Sequence, residues 1–135
     1  MTSVALALPV ADKRPLAGYV LTALGALFLT FDTTLKVLAL APAVEASSQL
    51  GYRADTTVWI GVVELICLLL YLVPRTSVLG ALLLTGYLGG AVATHVRMGG
   101  PLFSHILFPI YVALLLWGGL YLREPRLRDL VPLRS

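Results

Sequence analysis

The sequence contains little charge and almost no cysteine. Only 13% of its 135 residues are Asp, Glu, Lys or Arg, whereas 59% are hydrophobic. Together with a mean hydropathy of +0.90, this composition excludes an ordinary soluble domain. The single cysteine, Cys67, excludes an intrachain disulfide, a CxxC redox pair, a four-cysteine zinc site and an iron–sulfur cluster. Any redox chemistry therefore requires a borrowed cofactor.

The basic residues do not form a nucleic-acid-binding pattern. The formal net charge is +3 and the isoelectric point is near 9.3. However, the Lys and Arg residues lie beside hydrophobic blocks rather than in a stripe interleaved with aromatic residues. We therefore interpret them as membrane topology signals and expect no nucleic-acid partner.

Four apolar blocks account for most of the chain, and each has about the 20 residues that a bilayer-spanning helix needs. They predict an all-α protein, a four-transmembrane-helix bundle that forms one domain over residues 1–135 with short cytoplasmic tails. The predicted helices cover about residues 16–40, 56–73, 76–97 and 102–122. The loop after the first helix is long enough for a small interfacial helix around residues 44–50. Pro109 is expected to kink the fourth span.

The flanking Lys and Arg residues indicate the orientation, because they concentrate on the cytoplasmic side of membrane proteins. Seven lie on one side and two on the other. The seven are Lys13, Arg14, Arg75, Arg123, Arg126, Arg128 and Arg134, and the two are Arg53 and Arg97. Both termini are thus predicted to be cytoplasmic, with the loop after the first helix facing outward. Arginine outnumbers lysine eight to two, which is typical of a GC-rich bacterial genome. We expect this multi-pass protein in the inner (plasma) membrane.

Six ionisable side chains fall in the outer half of this predicted bundle. They are Asp32, Lys36, Glu64, His95, Arg97 and His105. At a rise of about 1.5 Å per residue, Asp32 lies roughly 24 Å above the inner end of its helix, and Glu64 roughly 12 Å below the outer end of the second. Burying each such charge costs about 2.5–3.5 kcal/mol at mid-membrane depth, so they should face the bundle interior or a wet cavity.

Two interpretations of these residues remain open. In the functional one, Glu64, Asp32 and His95 are catalytic, while Lys36, Glu64, His95, Arg97 and His105 bind a ligand in an outward-facing polar pocket. In the structural one, Asp32 pairs with Lys36 one helical turn away, while Glu64 meets Arg97 or His95 and sets the helix register. The two histidines lack a recognised ligand spacing, so no metal site is predicted.

Helical periodicity assigns faces to these helices. Gly18, Gly25 and Asp32 recur every seven residues and should face the core. A more polar face of the second helix should also point inward; it consists of Thr57, Gly61, Glu64, Cys67 and Tyr71.

The third helix carries a GxxxG spacing at Gly86 and Gly90, which we interpret as a contact between two helices of the bundle. His95 points nearly opposite to this pair, on the side of Leu88 and Ala91.

The segment PRTSVLGALLLTGYLGGAVATHVR at residues 74–97 resembles the DoxX-like family of small four-helix membrane proteins. Supporting segments lie at residues 31–36, 50–52, 61–65 and 117–123. The resemblance implies a four-helix membrane fold. The family is named for a membrane subunit associated with thiosulfate:quinone oxidoreduction, although most members have no assigned reaction. The resemblance places Lys36, Glu64, His95 and Arg97 inside motifs of the family. It places Asp32 there less securely.

Three functions are compatible with these features. The first is an accessory subunit of an oxidoreductase whose pocket holds a quinone or another lipophilic small molecule. The second is a stand-alone membrane enzyme, such as an isomerase, cyclase or hydrolase, that uses buried Glu or Asp acid-base chemistry. The third is a structural or chaperone-like membrane protein. The lipid bilayer is a partner in all three. A partner subunit and a homo-oligomer both remain open, and no cofactor is assigned, a quinone being one candidate.

The predicted topology can be tested by labelling with a membrane-impermeant maleimide. In a Cys67→Ala background, we expect Ser48→Cys to be labelled in intact cells and Ser135→Cys to be labelled only after permeabilisation. Labelling of Ser135→Cys in intact cells would contradict the cytoplasmic assignment of the C-terminus.

Overall fold

Four helical segments have the length and apolar composition required to cross a membrane. They are Arg14–Val37, Ala54–Leu72, Ser77–Arg97 and Leu102–Arg123. A computed structural model describes residues 13–130 and contains no β-strand within that range. This confirms the predicted all-α, four-span architecture. Residues 1–12 and 131–135, including the topology residue Arg134, lie outside the described residues.

The described residues form six α-helices. In chain order, they are α1 (Arg14–Val37), α2 (Ala41–Gln49), α3 (Ala54–Leu72), α4 (Ser77–Arg97), α5 (Phe108–Arg123) and α6 (Pro125–Leu130). The expected interfacial helix is α2, which begins at Ala41, earlier than predicted. Pro42 lies in its first turn, where a missing backbone N–H costs nothing. The first span ends at Val37, because Ala39 adopts a left-handed φ of 50° that stops the helix.

The fourth span is interrupted rather than merely bent. A π-helical turn covers Leu102–Ile106, and α5 begins at Phe108 with Pro109 in its first turn. A proline ring inside a continuous helix would clash with the preceding turn, whereas the first turn of a new helix accepts it. The kink expected at Pro109 is therefore realised as a break between two helical segments.

The long helices form a ring in which each contacts two neighbours. Helix α1 contacts α3 and α5, and α4 contacts the same two helices, so α1 and α4 face each other diagonally. Helix α2 lies across one end of the bundle, which we call the α2 end, and contacts α1 and α3 there. The opposite, terminal end holds the start of α1 beside the end of α5. The side of the membrane on which each end lies stays a prediction.

The core is narrow and the outer surface is apolar. The largest fully buried side chains are Tyr71, Leu29, Leu68, Leu84, Leu116, Leu120, Glu64 and Thr57. Large hydrophobic side chains on the outside, such as Leu27, Phe31 and Trp59, are more than 60% exposed. This exposure is the pattern expected where lipid, rather than water, surrounds the helices.

The predicted inward faces are confirmed on α1 and α3. On α1, Gly18 and Gly25 are buried and Asp32 is partly buried. All five residues of the polar face of α3 are also buried. The 3.6-residue periodicity within each helix was sufficient to identify these faces, because each helix packs one side against the rest of the bundle.

The interpretation of the GxxxG pair as a packing device within the bundle is wrong. A Cβ added at Gly86 or Gly90 would meet nothing within 4 Å. The reason is the rotation of α4, which turns Leu84 and Leu88 into the core and the glycines away from it. Close packing occurs instead at Gly80, where a Cβ would overlap the backbone of Tyr71.

This contrast predicts opposite effects of the same substitution on one helix. Gly80→Ala should destabilise the bundle by about 1–3 kcal/mol, because α3 and α4 must move apart to admit the methyl group. Gly86→Ala is the matched control and should be neutral or slightly stabilising, because alanine favours the helix and meets no neighbour. Thermal unfolding in detergent micelles measures both. Equal effects at the two positions would contradict the described rotation of α4.

Candidate functional site

Lys36 is the centre of a polar cluster that joins three helices. Its ammonium donates to the Asp32 carboxylate one turn earlier on α1. It also donates to Glu64 Oε2 on α3 at 3.0 Å and to Tyr87 Oη on α4 at 2.6 Å. The Tyr87 hydroxyl in turn donates to Glu64 Oε2 at 2.9 Å. We call these four side chains the Lys36 cluster.

Local sequence explains why α1 and α3 come close enough for this cluster to form. Gly61 lies one turn before Glu64, and a Cβ there would come within 3.0 Å of the Val37 backbone nitrogen. The Thr33 hydroxyl donates to the Gly61 carbonyl at 2.7 Å at the same crossing. A small residue and a hydrogen bond therefore hold Lys36 beside Glu64.

The cluster is partly buried and its formal charges do not cancel. One ammonium faces two carboxylates, and the Glu64 side chain is fully buried, whereas those of Lys36 and Asp32 are 17% and 31% exposed. Glu64 Oε1 is buried without a hydrogen-bond partner among the described residues. A buried acceptor without a partner costs about 1–3 kcal/mol. The three N–H bonds of Lys36 are all taken within the cluster, so this lysine is tightly held.

Two cavities adjoin the cluster beneath α2. Chamber 1 has a volume of about 350 Å³ and lies between α1, α2, α4 and α5. Its walls are largely apolar and include Phe28 and Phe108, whose rings meet edge to face at 4.9 Å. Chamber 2 has a volume of about 260 Å³ and lies between α2, α3 and α4. Lys36 and Tyr87 line both chambers.

The structure brings together some of the predicted site residues. Asp32, Lys36 and Glu64 meet directly, and His95 lines both chambers. Glu64 lines neither chamber, because Lys36 and Tyr87 lie between it and the cavities. Asp32 is thus the carboxylate that reaches chamber 1.

The other two predicted residues lie outside the chambers. His105 is exposed, its ring contacts that of His95 with centroids 5.6 Å apart, and its Nδ1 is 2.7 Å from Ser104 Oγ. Arg97 is exposed and donates to the Leu50 carbonyl at 3.4 Å. Within residues 13–130, no three His, Cys, Asp or Glu side chains are grouped to hold a metal ion.

Sequence reasoning missed Tyr87 and Ser47. Tyr87 precedes Ala91 and His95 at intervals of four residues, so the helical face assigned to His95 already included it. Ser47 lies on α2, is 8% exposed and lines both chambers. Its position depends on how α2 folds over the bundle end, and no residue pattern in the sequence indicates that.

These features define a class: a multi-pass membrane protein with an ion-paired cluster and two cavities near one end of a four-helix bundle. A family model described as the DoxX-like family matches residues 20–119. The chain therefore belongs to the DoxX-like family, and the resemblance noted in its sequence is confirmed. Comparison with curated proteins and with solved structures found no match. The matched range includes the whole Lys36 cluster and His95.

Removal of Lys36 alone should be more harmful than its removal together with the charge of Glu64. Lys36→Met leaves two carboxylates without their cation, and we expect it to cost about 3–5 kcal/mol of stability. Lys36→Met combined with Glu64→Gln should cost less, because the second change removes an uncompensated buried charge. A double-mutant cycle by chemical or thermal unfolding in micelles measures this coupling.

The matched surface control is Asp55→Asn. It breaks the exposed ion pair between Arg53 and Asp55, whose side chains are 84% and 63% exposed. Such a pair contributes at most about 1 kcal/mol. Strictly additive losses in the Lys36 and Glu64 cycle would contradict the described hydrogen bond between them.

Proposed function

We propose that chamber 1 binds a lipophilic small molecule with a polar carbonyl or hydroxyl group, of which a quinone is the leading candidate. The proposal rests on the division of the chamber wall into a large apolar part and a small polar part. Apolar side chains such as Phe28, Leu88 and Val112 line most of the chamber, whereas Asp32, Lys36 and other polar groups are on the side of the cluster. Ligand cavities of this kind combine a mainly apolar surface with a few oriented polar groups.

The hydrogen bonding of the cluster indicates which residues would contact the ligand. All three donors of Lys36 are engaged, so a ligand oxygen would find its hydrogen bonds at Ser47 and His95, which line the chamber. We assign Lys36, Glu64 and Tyr87 the role of positioning this polar wall. The ring of a quinone would lie among the apolar side chains, near the edge contact of Phe28 and Phe108.

An accessory role in an oxidoreductase is the form of this function that we favour. The chain has one cysteine, Cys67, which is buried in the hydrophobic core, so the chain has no redox pair of its own. Electrons would pass between the bound quinone and a partner subunit in the bacterial inner membrane. We place His105 next to His95 at the mouth of the site and Arg97 at its rim.

One observation favours a second candidate, a stand-alone enzyme. Asp32 lines chamber 1 and is ion-paired to Lys36, so it is the carboxylate able to exchange a proton with a bound lipophile. In that case Asp32, rather than Glu64, would be the general acid or base. His95, on the same chamber wall, would be its partner.

The proposal predicts a difference between two valine substitutions. Val112 is buried against chamber 1, whereas Val63 on α3 is 51% exposed toward lipid. Val112→Phe should fill part of the chamber and weaken binding of decylubiquinone at least tenfold. Val63→Phe, the same change on the outer surface, should leave binding unchanged. Equilibrium dialysis of the purified protein in micelles, corrected for uptake by empty micelles, measures both.

Ser47→Ala tests the assigned hydrogen bond without changing the shape of the chamber. We expect it to weaken decylubiquinone binding by roughly three- to tenfold, the effect of losing one hydrogen bond of about 1 kcal/mol. Mass spectrometry of co-purified lipophiles supplies a second readout on the same variants. Equal binding by wild type, Val112→Phe and Ser47→Ala, with no quinone co-purified, would contradict the proposed function and favour a structural role.

A further inference from the structure

The hydrogen bond between Lys36 and Tyr87 divides the α2 end of the bundle into two compartments. These residues belong to α1 and α4, the helices that face each other diagonally, so their contact crosses the bundle interior. Side chains of α5, such as Val112, line chamber 1 but not chamber 2. Conversely, Ile60 of α3 lines chamber 2 but not chamber 1. The two chambers therefore lie on opposite sides of a shared polar partition.

The walls of chamber 2 are more polar than those of chamber 1. Six of the ten residues that line chamber 2 carry a polar side chain, against five of seventeen in chamber 1. Tyr52 and Thr94, which line chamber 2 alone, are hydrogen-bonded to each other at 2.8 Å. The Ser47 residue is more than nine-tenths buried, lines this chamber and makes no side-chain hydrogen bond to another described residue. The chamber thus offers a buried hydroxyl to a ligand.

The charges around chamber 2 favour an uncharged ligand. The Lys36 ammonium is already paired with Asp32 and Glu64, so an anion would meet no unpaired cation there. His95 is the other basic side chain on the wall, and its ring contacts that of His105. Exposed Arg97 does not line the chamber; it donates to the carbonyl of Leu50, which does. Hydroxyl and carbonyl groups are the polar groups that such a wall accepts without unpaired charge.

Gly90 marks the lateral entrance to chamber 2. It lines the chamber, it is exposed, and a Cβ at this position would meet nothing within 4 Å. Gly90 lies seven residues before Arg97, the last residue of α4, and therefore about 10 Å below the helix end. At that depth the surroundings are the apolar part of the membrane. The entrance thus opens toward lipid.

We infer that chamber 2 is a second ligand site, which admits a small, uncharged, membrane-soluble alcohol or carbonyl compound past Gly90. The inference does not rest on the function proposed for chamber 1, but six wall residues are common to both chambers: Lys36, Ser47, Leu50, Tyr87, Ala91 and His95. Ser47 supplies a hydroxyl donor, and Ile60 supplies apolar contact. Thr94 donates to the Gly90 carbonyl at 2.9 Å and Tyr52 donates to Thr94, so these two hydroxyl oxygens act as acceptors for the ligand. The absence of a side chain at Gly90 keeps the entrance open.

The test uses 3-azioctanol, a photoreactive alcohol, on the purified full-length protein in nanodiscs. Peptide mass spectrometry should find saturable labelling around Tyr52, Ile60 and Thr94 that excess 1-octanol abolishes. Gly90→Leu should reduce this labelling at least tenfold. Gly86→Leu is the matched control. Gly86 lies one turn before Gly90, and a Cβ there also meets nothing within 4 Å, but Gly86 does not line the chamber. Thr94→Val should raise the half-saturating concentration several-fold.

The same experiment separates this inference from the proposed function. Val112→Phe should leave labelling of chamber 2 intact while weakening quinone binding in chamber 1. Loss of both signals in Val112→Phe would show one continuous cavity and would overturn the inference. Non-saturable labelling, or equal labelling of Gly90→Leu and Gly86→Leu, would also overturn it. Unfolding curves of the two leucine variants confirm that each is folded.

Discussion

The burial of the Lys36 ammonium in an apolar helix is the constraint on which the rest of this structure depends. A charge at this depth is stable only when its donors are satisfied, and Asp32, Glu64 and Tyr87 satisfy all three. Because two of these partners lie on other helices, the lysine determines how α1, α3 and α4 are placed relative to one another. Gly61 makes this arrangement possible by allowing α1 to lie close to α3.

The two ends of the bundle differ because the same helices are packed differently along their length. At the terminal end, α1 and α5 touch through Gly18 and Gly119, where any Cβ would collide with the facing backbone. At the α2 end, the rings of Phe28 on α1 and Phe108 on α5 meet edge to face and line chamber 1. Space therefore opens beside the polar cluster, and α2 covers it. The chambers thus lie at the end where α1 and α5 meet through phenylalanine rings, and not at the end where they meet through glycines.

The candidate site could be predicted in part. Asp32, Lys36 and Glu64 were identified because a charged residue in an apolar span is conspicuous and must face inward. Tyr87 escaped notice because a tyrosine in a span is commonly an interfacial residue, and only its contact with Lys36 reveals another role. The pair Gly86 and Gly90 was misinterpreted because a GxxxG spacing is the same whether the helix turns it toward a neighbour or toward lipid.

The sequence by itself determined the class of protein: four apolar spans, an all-helical fold, and a layer of ionisable residues near one end. These properties depend on local composition and on the 3.6-residue period, which any segment of chain carries within itself. Only the tertiary structure decided which acids pair with Lys36 and how Tyr87 divides the interior. The bonds from Lys36 to Glu64 and to Tyr87 join helices that are distant in sequence, and the second of them joins the diagonal helices α1 and α4. Their geometry depends on the rotation and neighbours of every helix together.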